Sequence, residues 1–323
     1  MVAPALQGMR ILRYAATHSA VPAALTLGNF DGVHLGHRAM LSMVMRAAQD
    51  RQLTSCVMTF EPHPRDFFAP ERAPARLTSL REKLEQFAAL GLQRAHVRRF
   101  HSAFARISAE AFIEDILVEQ MQVRWLLVGD DFHFGAGRRG DIDMLQQASA
   151  RHGFEVVQMP SLAIDGIRVS STAVRERLAG GDLTGAARLL GRPYSISGRV
   201  MTGDGLGREL GFPTANVQIK HNSPALRGIF VVEVVGLQSR PMPGVASLGT
   251  RPTVKPDGAP VLEVHLLDFS GDLYGRRLQV SFLHKLRDEE KYPDLPALQA
   301  QIARDAAAAR QFFRSAGGAP LAR

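Results

Sequence analysis

The sequence lacks several features that would place it in a special class of protein. Its 323 residues include a single cysteine, Cys56, so no disulfide can form within the chain. No apolar run approaches the roughly 20 residues that span a bilayer, and residues 1–30 have no compact apolar core after a basic end, so we expect no signal peptide. Cys56 lies in the apolar run SCVMTF, where we expect a buried small side chain rather than a nucleophile. These absences favour a cytoplasmic protein.

Acidic residues are fewer than basic ones. Asp and Glu number 31 against 39 Lys and Arg, which gives a net charge of +8 and a sequence pI near 10.2. Such a charge fits an anionic partner, whether nucleic acid, acidic lipid or a phosphorylated ligand. The arginines are scattered and no nucleic-acid recognition motif accompanies them, so we expect no nucleic-acid partner and no membrane partner.

The first half alternates short apolar runs with helix-like stretches. AALTLGNF (23–30) and SCVMTF (55–60) predict buried strands, and LGHRAMLSMVMRAAQD (35–50) predicts a helix. The alternation continues through residue 160, which predicts an α/β fold with a doubly wound parallel sheet. Ligands bind such sheets beyond the carboxyl ends of the strands. Three histidine-containing segments fall there, residues 28–37, 61–64 and 129–135.

The second half has a different pattern of apolar and turn residues. From about Pro193, short strand-like runs are separated by Gly and Pro, which predicts a small β-barrel. An amphipathic stretch at residues 293–313 predicts a C-terminal helix, and the last residues are expected to be frayed. We place the domain boundary near residue 190, with domains 1–190 and 191–323.

The segment GNFDGVHLGH carries the first candidate site. Gly28 and Gly36 allow tight turns and close approach of a ligand. The predicted helix starts at about Leu35, and the free N–H groups at a helix start bind phosphate. His34 and His37 flank Gly36 in an HxGH pattern, which resembles the signature of the nucleotidylyltransferases, enzymes that act on the α-phosphate of a nucleoside triphosphate.

Two other interpretations of this segment stay open. The four positions also fit a glycine-rich turn with exposed histidines. A zinc site built from His34, His37 and His63 is a second rival, although no carboxylate or thiol completes an obvious ligand set.

The segment VSSTAVR (169–175) is the expected partner of HxGH. Ser170, Ser171 and Thr172 can cap a helix and donate hydrogen bonds. Arg175 lies one turn beyond Ser171 on the same face, where its guanidinium can neutralise a leaving pyrophosphate. A simple helix cap is the alternative, and the HxGH segment in the same domain favours the phosphate site.

The second candidate site lies in the C-terminal half, which has no P-loop. Thr214 and Asn216 are neutral oxygen donors two residues apart, so on an extended segment they lie on one side and suit Mg²⁺ held together with substrate phosphates. Glu263 stands in an apolar strand with His265 on the same face. From spacing alone, Glu263 is equally a general base or a solvated strand residue.

Several motifs together resemble a known family. TLGNFDGVHLGH, TFEPHPRDFF, VGDDFHFGAGRRGD and VSSTAVRERLAGGDL look like the N-terminal half of the prokaryotic bifunctional riboflavin kinase/FAD synthetases. The resemblance implies an FMN adenylyltransferase in which one set of residues handles the ATP phosphates: Gly28, Asn29, Phe30, Asp31, His34, Gly36, His37, Ser170, Ser171, Thr172 and Arg175. It also implies a flavin and nucleotide pocket lined by Glu61, His63, Pro64, Asp130 and Phe132, although a solvated turn at residues 130–131 is an equal alternative.

The C-terminal half resembles the riboflavin kinase module of the same family. The matching segments are GRELGFPTAN, GVASLGTRPTV, LEVHLLDF and YGRRLQVSFLHKLRDEEKY. The resemblance implies that Thr214 and Asn216 coordinate Mg²⁺–ATP and that Glu263 takes the proton of the attacking ribityl hydroxyl. It further implies that a nucleotide-binding loop includes Gly207, Arg208 and Pro213, and that Arg287 and Tyr292 contact the flavin.

The resemblance covers roughly residues 9–315 with three departures, since the family usually has Arg at His133, Ile at Val169 and Asn at Ser247. The substrates implied are ATP, riboflavin and FMN. A flavin-binding protein without catalysis and a protein with adenylyl transfer alone are the alternatives. The presence of His34, His37 and Glu263 together argues against the first, and that of Thr214, Asn216 and Glu263 argues against the second. A transient homo-oligomer stays open, because some members of the family assemble although no interface is legible in this sequence.

Overall fold

The chain forms two compact units. The structure, a computed structural model, describes residue 6 and residues 8–14, 21–203, 206–219, 224–250 and 260–315. The first unit, called the sheet unit, holds the described residues of Pro4–Pro74 and Leu80–Ser171. The second, called the barrel unit, holds those of Ala75–Ser79 and of the chain from Thr172 onward. The expected boundary at residue 190 stays a prediction.

A six-stranded parallel sheet forms the centre of the sheet unit, in the order β1-β4-β3-β2-β5-β6. A two-stranded antiparallel hairpin, β7-β8, follows it. The strands are β1 (Arg10–Arg13), β2 (Ala23–Leu27), β3 (Thr54–Glu61), β4 (Arg94–Arg99), β5 (Val123–Gly129), β6 (Glu155–Met159), β7 (Ala163–Ile164) and β8 (Ile167–Arg168).

Helices cover both faces of this sheet. They are α1 (Leu35–Asp50), α2 (Pro64–Phe68), α3 (Leu80–Ala89), α4 (Ser102–Ala105), α5 (Ala109–Ala111), a π-helix over Phe112–Gln120, and α6 (Ile142–His152), with 3₁₀ turns at Pro70–Arg72 and Ala136–Arg138. On one face Leu41 of α1 and Leu84 of α3 pack on Val57 of β3. On the other face Ile116 of the π-helix packs with Leu25. Burial on both faces explains why β2 is apolar along its whole length.

The barrel unit contains a closed six-stranded antiparallel barrel in the order β10-β13-β12-β11-β14-β9. Its elements are α7 (Ser171–Ala179, whose first residue belongs to the sheet unit), α8 (Leu183–Leu190), β9 (Ser195–Met201), α9 (Leu206–Glu209), β10 (Ala215–Val217), β11 (Gly228–Val235), β12 (Met242–Thr250), β13 (Pro260–Leu266), β14 (Arg277–Arg287) and α10 (Leu295–Ser315). Helix α10 packs its Ala306 and Ala309 against Val231 and Leu267 of the barrel wall. Both predicted fold classes, the doubly wound sheet and the small barrel with a C-terminal helix, are confirmed.

Three details differ from the sequence-based expectations or extend them. The edge strand β1 was not predicted, because its four residues RILR are half charged and show no alternation. The helical segment Phe112–Gln120 is a π-helix, a distinction that the periodicity of the sequence does not make. Cys56 is buried as expected, and burial raises the pKa of its thiol to about 12, so it stays protonated. The expected fraying concerns residues 315–323. Ser315 is the last residue of the C-terminal helix, and residues 316–323 lie outside the described residues.

The buried His96 gives the sheet unit a pH-dependent stability. Burial, and then the charges of Arg94, Arg98 and Arg10, lower the pKa of His96 to about 4. The unfolded chain therefore binds a proton at this residue between about pH 6.5 and pH 4, whereas the folded chain does not. Stability is fully present above pH 6.5 and is lost as the pH falls through this window.

We expect the free energy of unfolding of the sheet unit to fall by about 2 kcal/mol through this residue between pH 7 and pH 5. Urea denaturation followed by the fluorescence of Trp125, the single tryptophan, measures it, because this residue lies in β5 of the sheet unit. The variant His96→Phe keeps the bulk of the ring and removes the titrating group. An equal pH dependence in the variant and the parent would contradict the assignment.

Candidate active sites

The topology of the sheet brings the two glycine-containing segments of the sheet unit together. Strand β2 lies between β3 and β5, so the chain reverses its direction of winding at β2. The crevice outside the carboxyl ends of two such strands is the usual ligand site of a doubly wound sheet. Residues 28–37 follow β2 and residues 130–134 follow β5, so both segments border this crevice.

The loop between β2 and α1 has a strained backbone. Phe30 has φ 50°, Gly32 φ 81° and Val33 φ 42°. A glycine adopts such angles freely, but a β-branched valine does so only under constraint. The loop is also buried at Phe30, Asp31 and Val33. Backbone strain held by burial is typical of ligand-binding and catalytic segments.

His34 and His37 form one stacked pair at the start of α1. His34 is the N-cap residue, and its Nδ1 accepts a hydrogen bond from the backbone N–H of His37 at 3.3 Å. The two rings lie face to face, with centroids 3.6 Å apart and an interplanar angle of 15°. Since Nδ1 accepts, the proton of a neutral His34 is on Nε2. One side chain thus caps the helix and fixes the tautomer of its own ring.

His37 is an uncharged imidazole. Burial, then the charge of His34 and then that of Lys83, hold the pKa of His37 well below its usual value. Its Nδ1 is buried and has no hydrogen-bond partner in the part of the chain that the structure describes. Asn29 Oδ1, in the same loop, is buried in the same way. Buried polar atoms are nearly always paired, so these two atoms fit a site whose ligand supplies the partner.

Gly36 leaves room for the histidine pair. A Cβ at this position would lie 3.2 Å from Nδ1 of His34 and 3.6 Å from the carbonyl oxygen of Val169. Val169 stands where the family usually has Ile. It is buried, and the exchange of Ile for Val keeps an apolar side chain at this position. A larger residue at position 36 would therefore crowd the ring of His34, whereas the carbonyl oxygen of Val169 would lie at an ordinary contact distance.

The serine motif reaches the loop through one hydroxyl. Ser171 Oγ donates a hydrogen bond of 2.8 Å to the carbonyl oxygen of Asp31. Ser170 and Ser171 belong to the sheet unit, whereas Thr172 and Arg175 belong to the barrel unit. Within the barrel unit, Arg175 Nε donates to the carbonyl oxygen of Ala75 at 2.6 Å.

The residues expected to line the flavin pocket fall at the ends of β3 and β5. His63 is buried and caps α2 through Nδ1, which accepts from the backbone N–H of Arg65 at 3.1 Å. Pro64 is the first residue of α2, and Glu61 is the half-buried last residue of β3. Phe132 stacks on Phe134 with centroids 5.6 Å apart.

Asp130 makes protein contacts of its own. Its carboxylate accepts hydrogen bonds from Ser161 N–H at 3.0 Å and Ser161 Oγ at 2.7 Å, and Arg168 lies 3.3 Å away. The hydrogen bond from Ser161 is the main reason that the pKa of Asp130 is lowered. Arg168 also pairs with Asp131 at 3.0 Å. The acidic turn thereby ties the end of β5 to β8, the strand that leads into the serine motif.

Sequence reasoning missed two features of this unit. Phe67 and Phe68 are exposed and both pack edge-on against Phe100. The double phenylalanine at the end of α2 was the available signal. Lys83 of α3 is fully buried beside β3, and nothing in the helical pattern of SLREKLEQF distinguished it from a surface lysine.

The barrel site is built across three neighbouring strands. Asn216 of β10 lies directly opposite Glu263 of β13, and Glu263 lies opposite Ser247 of β12. Residues directly opposite on paired strands share a face. Thr214 and Asn216 are half-buried, whereas Ala215 and Val217, which alternate with them, are buried. The alternation therefore puts the two predicted metal-binding residues on one side. Glu263 and His265 alternate with buried neighbours in the same way.

The glycine loop packs on these residues. A Cβ on Gly207 would lie 2.6 Å from the carbonyl oxygen of Phe212 and 3.0 Å from Thr214 Oγ1. Gly203 approaches the side chain of Asn216 just as closely. Arg208 and Pro213 are exposed in the same segment. Positions 204–205 of this loop, and 251–254 of the segment GVASLGTRPTV, lie outside the described residues.

Arg287 has a carboxylate partner on α10. Its Nη2 lies 2.7 Å from Oδ2 of Asp305, and Nε donates to both carboxylate oxygens. Asp305 also accepts from Gln301 Nε2 at 2.9 Å. The guanidinium lies 5.8 Å from the ring centroid of Tyr292. Arg287 therefore connects β14, α10 and the segment expected to contact flavin.

No group of three or more His, Cys, Asp or Glu side chains among the described residues is arranged to hold a metal ion. Two ring nitrogens of the histidines considered for zinc, Nδ1 of His34 and Nδ1 of His63, serve as helix caps. A cation at the barrel site would need oxygens from a substrate beside those of Thr214 and Asn216.

The fold and the two sites define an enzyme class. A doubly wound sheet with an HxGH helix start at its switch point, joined to a barrel with Thr, Asn and Glu side by side, is a two-part transferase that handles nucleotides. Family profiles agree: that of FAD synthetase matches residues 16–173 and that of riboflavin kinase matches residues 190–313.

Similar proteins cover nearly the whole chain. The bifunctional riboflavin kinase/FMN adenylyltransferase of Escherichia coli K12 is 50% identical over 90% of this chain and 92% of that protein. The protein of the same name from Pseudomonas fluorescens is 49% identical over 88% of this chain and 91% of its own length. The chain belongs to the family of bifunctional riboflavin kinase/FMN adenylyltransferases.

A solved structure shares the fold. The crystal structure of a macrolide-efflux protein from Streptococcus pneumoniae matches with a TM-score of 0.79 at 26% identity, over 94% of this chain and 99% of that chain. In the portion of the chain described above, no helix has the length and apolar character needed to cross a membrane.

Two ion pairs of α10 offer a matched test of what Arg287 contributes. Asp305 is buried and Asp268, the partner of Arg310 at 2.9 Å, is exposed. We expect Asp305→Ala to lower the opening free energy of α10 by about 3 kcal/mol, because it leaves the guanidinium without its charge partner. Asp268→Ala should change it by less than about 1 kcal/mol. Amide hydrogen exchange of α10, followed by mass spectrometry, measures both, and equal effects would contradict the interpretation.

Proposed function

We propose that the two activities of this family reside in separate sites of the chain, with adenylyl transfer at the HxGH loop and riboflavin phosphorylation at the barrel. The enzyme phosphorylates riboflavin to FMN and adenylylates FMN to FAD, with ATP as the co-substrate of both steps. The observation that carries the separation is that His34 and His37 lie in the sheet unit, whereas Thr214, Asn216 and Glu263 lie in the barrel unit.

In adenylyl transfer, a phosphate oxygen of FMN attacks the α-phosphorus of ATP and pyrophosphate leaves. His37 is neutral and buried at a helix start, so it can donate a hydrogen bond to a phosphate oxygen without a charge of its own to desolvate. The N–H groups at the start of α1 favour negative charge at the same place. His34 orients the pair through its cap and offers Nε2–H. Arg175 is proposed to neutralise the pyrophosphate, with Ser170, Ser171 and Thr172 as hydroxyl donors.

The remaining loop residues hold ATP in this scheme. Gly28 and Gly36 let the backbone approach the phosphates. Asn29 Oδ1 is a buried acceptor and is proposed to take a hydrogen bond from a hydroxyl or amino group of ATP. Phe30 and Asp31 keep the strained turn in place, because both side chains are buried. In the flavin pocket, Phe132 supplies an aromatic face next to Glu61, His63 and Pro64. Because its carboxylate is occupied by Ser161 and Arg168, Asp130 is proposed to shape the pocket rather than to contact the ring.

In riboflavin phosphorylation, the terminal ribityl oxygen attacks the γ-phosphorus of ATP, Glu263 takes the hydroxyl proton, and ADP leaves. Phosphoryl transfer depends mainly on positioning and on charge neutralisation. Thr214 and Asn216 fit Mg²⁺, because they offer two neutral oxygens on one side and Asn216 adjoins the carboxylate of Glu263 across the strand pair. Bound there with the ATP phosphates, Mg²⁺ supplies neutralisation of their charge.

The other barrel residues have supporting roles in the proposal. Gly207, Arg208 and Pro213 cover the nucleotide with the loop that packs on Thr214. Arg287 and Tyr292 hold the flavin at the end of β14, and Asp305 keeps the guanidinium oriented for that contact. The domain boundary is proposed near residue 190, and the site of action is proposed to be the cytoplasm, where ATP is available.

The two-site proposal predicts that the activities separate by mutation. We expect His37→Ala to lower FAD formation from FMN by about 10²- to 10³-fold and to leave FMN formation intact. We expect Glu263→Ala to lower FMN formation by about 10²- to 10⁴-fold and to leave FAD formation from added FMN intact. Chromatographic separation of riboflavin, FMN and FAD measures both.

Each variant carries its own folding control, because the unaffected activity resides in the same chain. The parent protein should form FMN before FAD, both with ATP required. Loss of both activities in a folded variant would contradict separate sites. FAD formation from FMN with riboflavin left untouched would mean adenylyl transfer alone.

The metal assignment has a separate test. We expect Asn216→Ala to raise the Mg²⁺ concentration needed for half-maximal riboflavin phosphorylation by roughly tenfold, which corresponds to about 1.4 kcal/mol. Gln218→Ala, an exposed neighbour at the end of the same strand, is the control and should leave it unchanged. An unaltered Mg²⁺ requirement in Asn216→Ala would remove this residue from the metal site.

A further inference from the structure

Lys83 is a buried cation that none of the functional motifs includes. It lies on α3 in the sheet unit, and its side chain has no solvent exposure. Lysine is almost never fully buried unless its charge is compensated or used, since removing an ammonium group from water is unfavourable. Its position therefore calls for a physical reason.

The ammonium group reaches the phosphate loop through one hydroxyl. Lys83 Nζ donates a hydrogen bond to Thr59 Oγ1 at 3.4 Å, and Thr59 Oγ1 donates to the carbonyl oxygen of Asn29 at 3.3 Å. Thr59 is itself fully buried in β3. A relay thus runs from α3, across β3, to the loop that follows β2. It ends one residue before Phe30, where the positive φ angles begin.

The same helix supports the same loop a second time. Phe87, one turn after Lys83 on α3, meets the ring of Phe30 edge-on at 5.5 Å. Residues four apart lie on one face of a helix, so this face of α3 holds both Asn29 and Phe30. The ring of Phe30 in turn lies 5.0 Å from that of His37. The strained turn and the catalytic ring are therefore supported from α3.

The charge of Lys83 also acts on His37 directly. The pKa of His37 is lowered by burial, by His34 from its own loop and by Lys83 from α3. Phe30, the side chain packed against the His37 ring, is apolar. A fixed positive charge in a buried site favours the approach of a polyanion and costs no reorganisation when it arrives.

We propose that Lys83 is a positioning residue for adenylyl transfer, which holds the loop of residues 28–37 through Thr59 and favours the neutral form of His37. The inference rests on the proposed assignment of this loop to the ATP phosphates. Lys83 forms no bond to substrate. It acts through Asn29 and His37.

The test compares three variants of the full-length chain. Lys83→Met removes the charge and keeps a similar length, Thr59→Val breaks the relay and keeps the charge, and Arg81→Met removes an exposed positive charge from the same helix as the control. Steady-state FAD formation from FMN and Mg²⁺–ATP gives kcat and KM. Histidine NMR signals give the titration of His37.

For Lys83→Met we expect kcat/KM for ATP to fall by 10- to 100-fold, and the pKa of His37 to rise because a positive neighbour is gone. For Thr59→Val we expect a loss of rate of at least about fivefold without that rise. Arg81→Met should match the parent in every measurement. Riboflavin phosphorylation by each sample should be unchanged.

A purely structural role would not move the His37 titration. Parent values of kcat, KM and the His37 titration in folded Lys83→Met would overturn the proposal. If Lys83→Met loses the native Trp125 fluorescence, the variants Lys83→Arg and Thr59→Val take its place. The proposal requires that Lys83→Arg retain the low pKa of His37 and that Thr59→Val form FAD more slowly. The opposite results overturn it.

The result for His37→Ala separates the two levels of inference. An inactive His37→Ala together with a fully active Lys83→Met would refute only the role of Lys83. If both variants formed FAD at the parent rate, the assignment of the loop to ATP would itself be wrong.

Discussion

The hydrogen bond from the backbone N–H of His37 to Nδ1 of His34 organises the loop that is proposed to carry out adenylyl transfer. It places both rings in one stack at the first turn of α1, where the helix dipole is positive. Two stacked imidazoles beside the charge of a buried lysine do not readily become cationic together, so His37 stays neutral. Three features keep this pair in one orientation. They are the capped helix start, the strained loop before it and the close contact of Gly36 with the ring of His34.

The barrel site follows from strand register rather than from helix geometry. Antiparallel pairing places Asn216, Glu263 and Ser247 in one row, and a slip of one residue would turn the whole row toward the barrel interior. The buried residues Ala215, Val217, Leu262 and Val264 prevent such a slip, because their apolar side chains would then face water. Core packing therefore keeps Glu263, the proposed general base, opposite Asn216, a proposed ligand of Mg²⁺. Ser247, where the family usually has Asn, keeps a polar group at the end of the row.

Periodicity in the sequence predicted most of the fold. The bounds of α1 agree with the prediction for residues 35–50, because a cap, an apolar stripe and the end of the pattern coincide there. The edge strand β1 escaped notice, since four residues with two charges carry no period. The sequence predicted that Thr214 and Asn216 share one face and that Glu263 and His265 share another. It did not predict that Asn216 and Glu263 lie opposite each other, because pairing between residues 47 positions apart is a property of the closed barrel.

Burial of polar atoms separates the residues that contact a ligand from those that position others, and no sequence pattern contains that information. Asp130 was expected to line the flavin pocket from its motif alone, yet its carboxylate already accepts hydrogen bonds from Ser161. His37 Nδ1 and Asn29 Oδ1 are buried without a partner among the described residues. A group with a satisfied charge has little to gain from a ligand, whereas an unsatisfied buried group gains a full hydrogen bond. Ligand contact in the adenylyl-transfer site should therefore concentrate on the loop of residues 28–37, with Asp130 and Lys83 acting through the backbone that they hold.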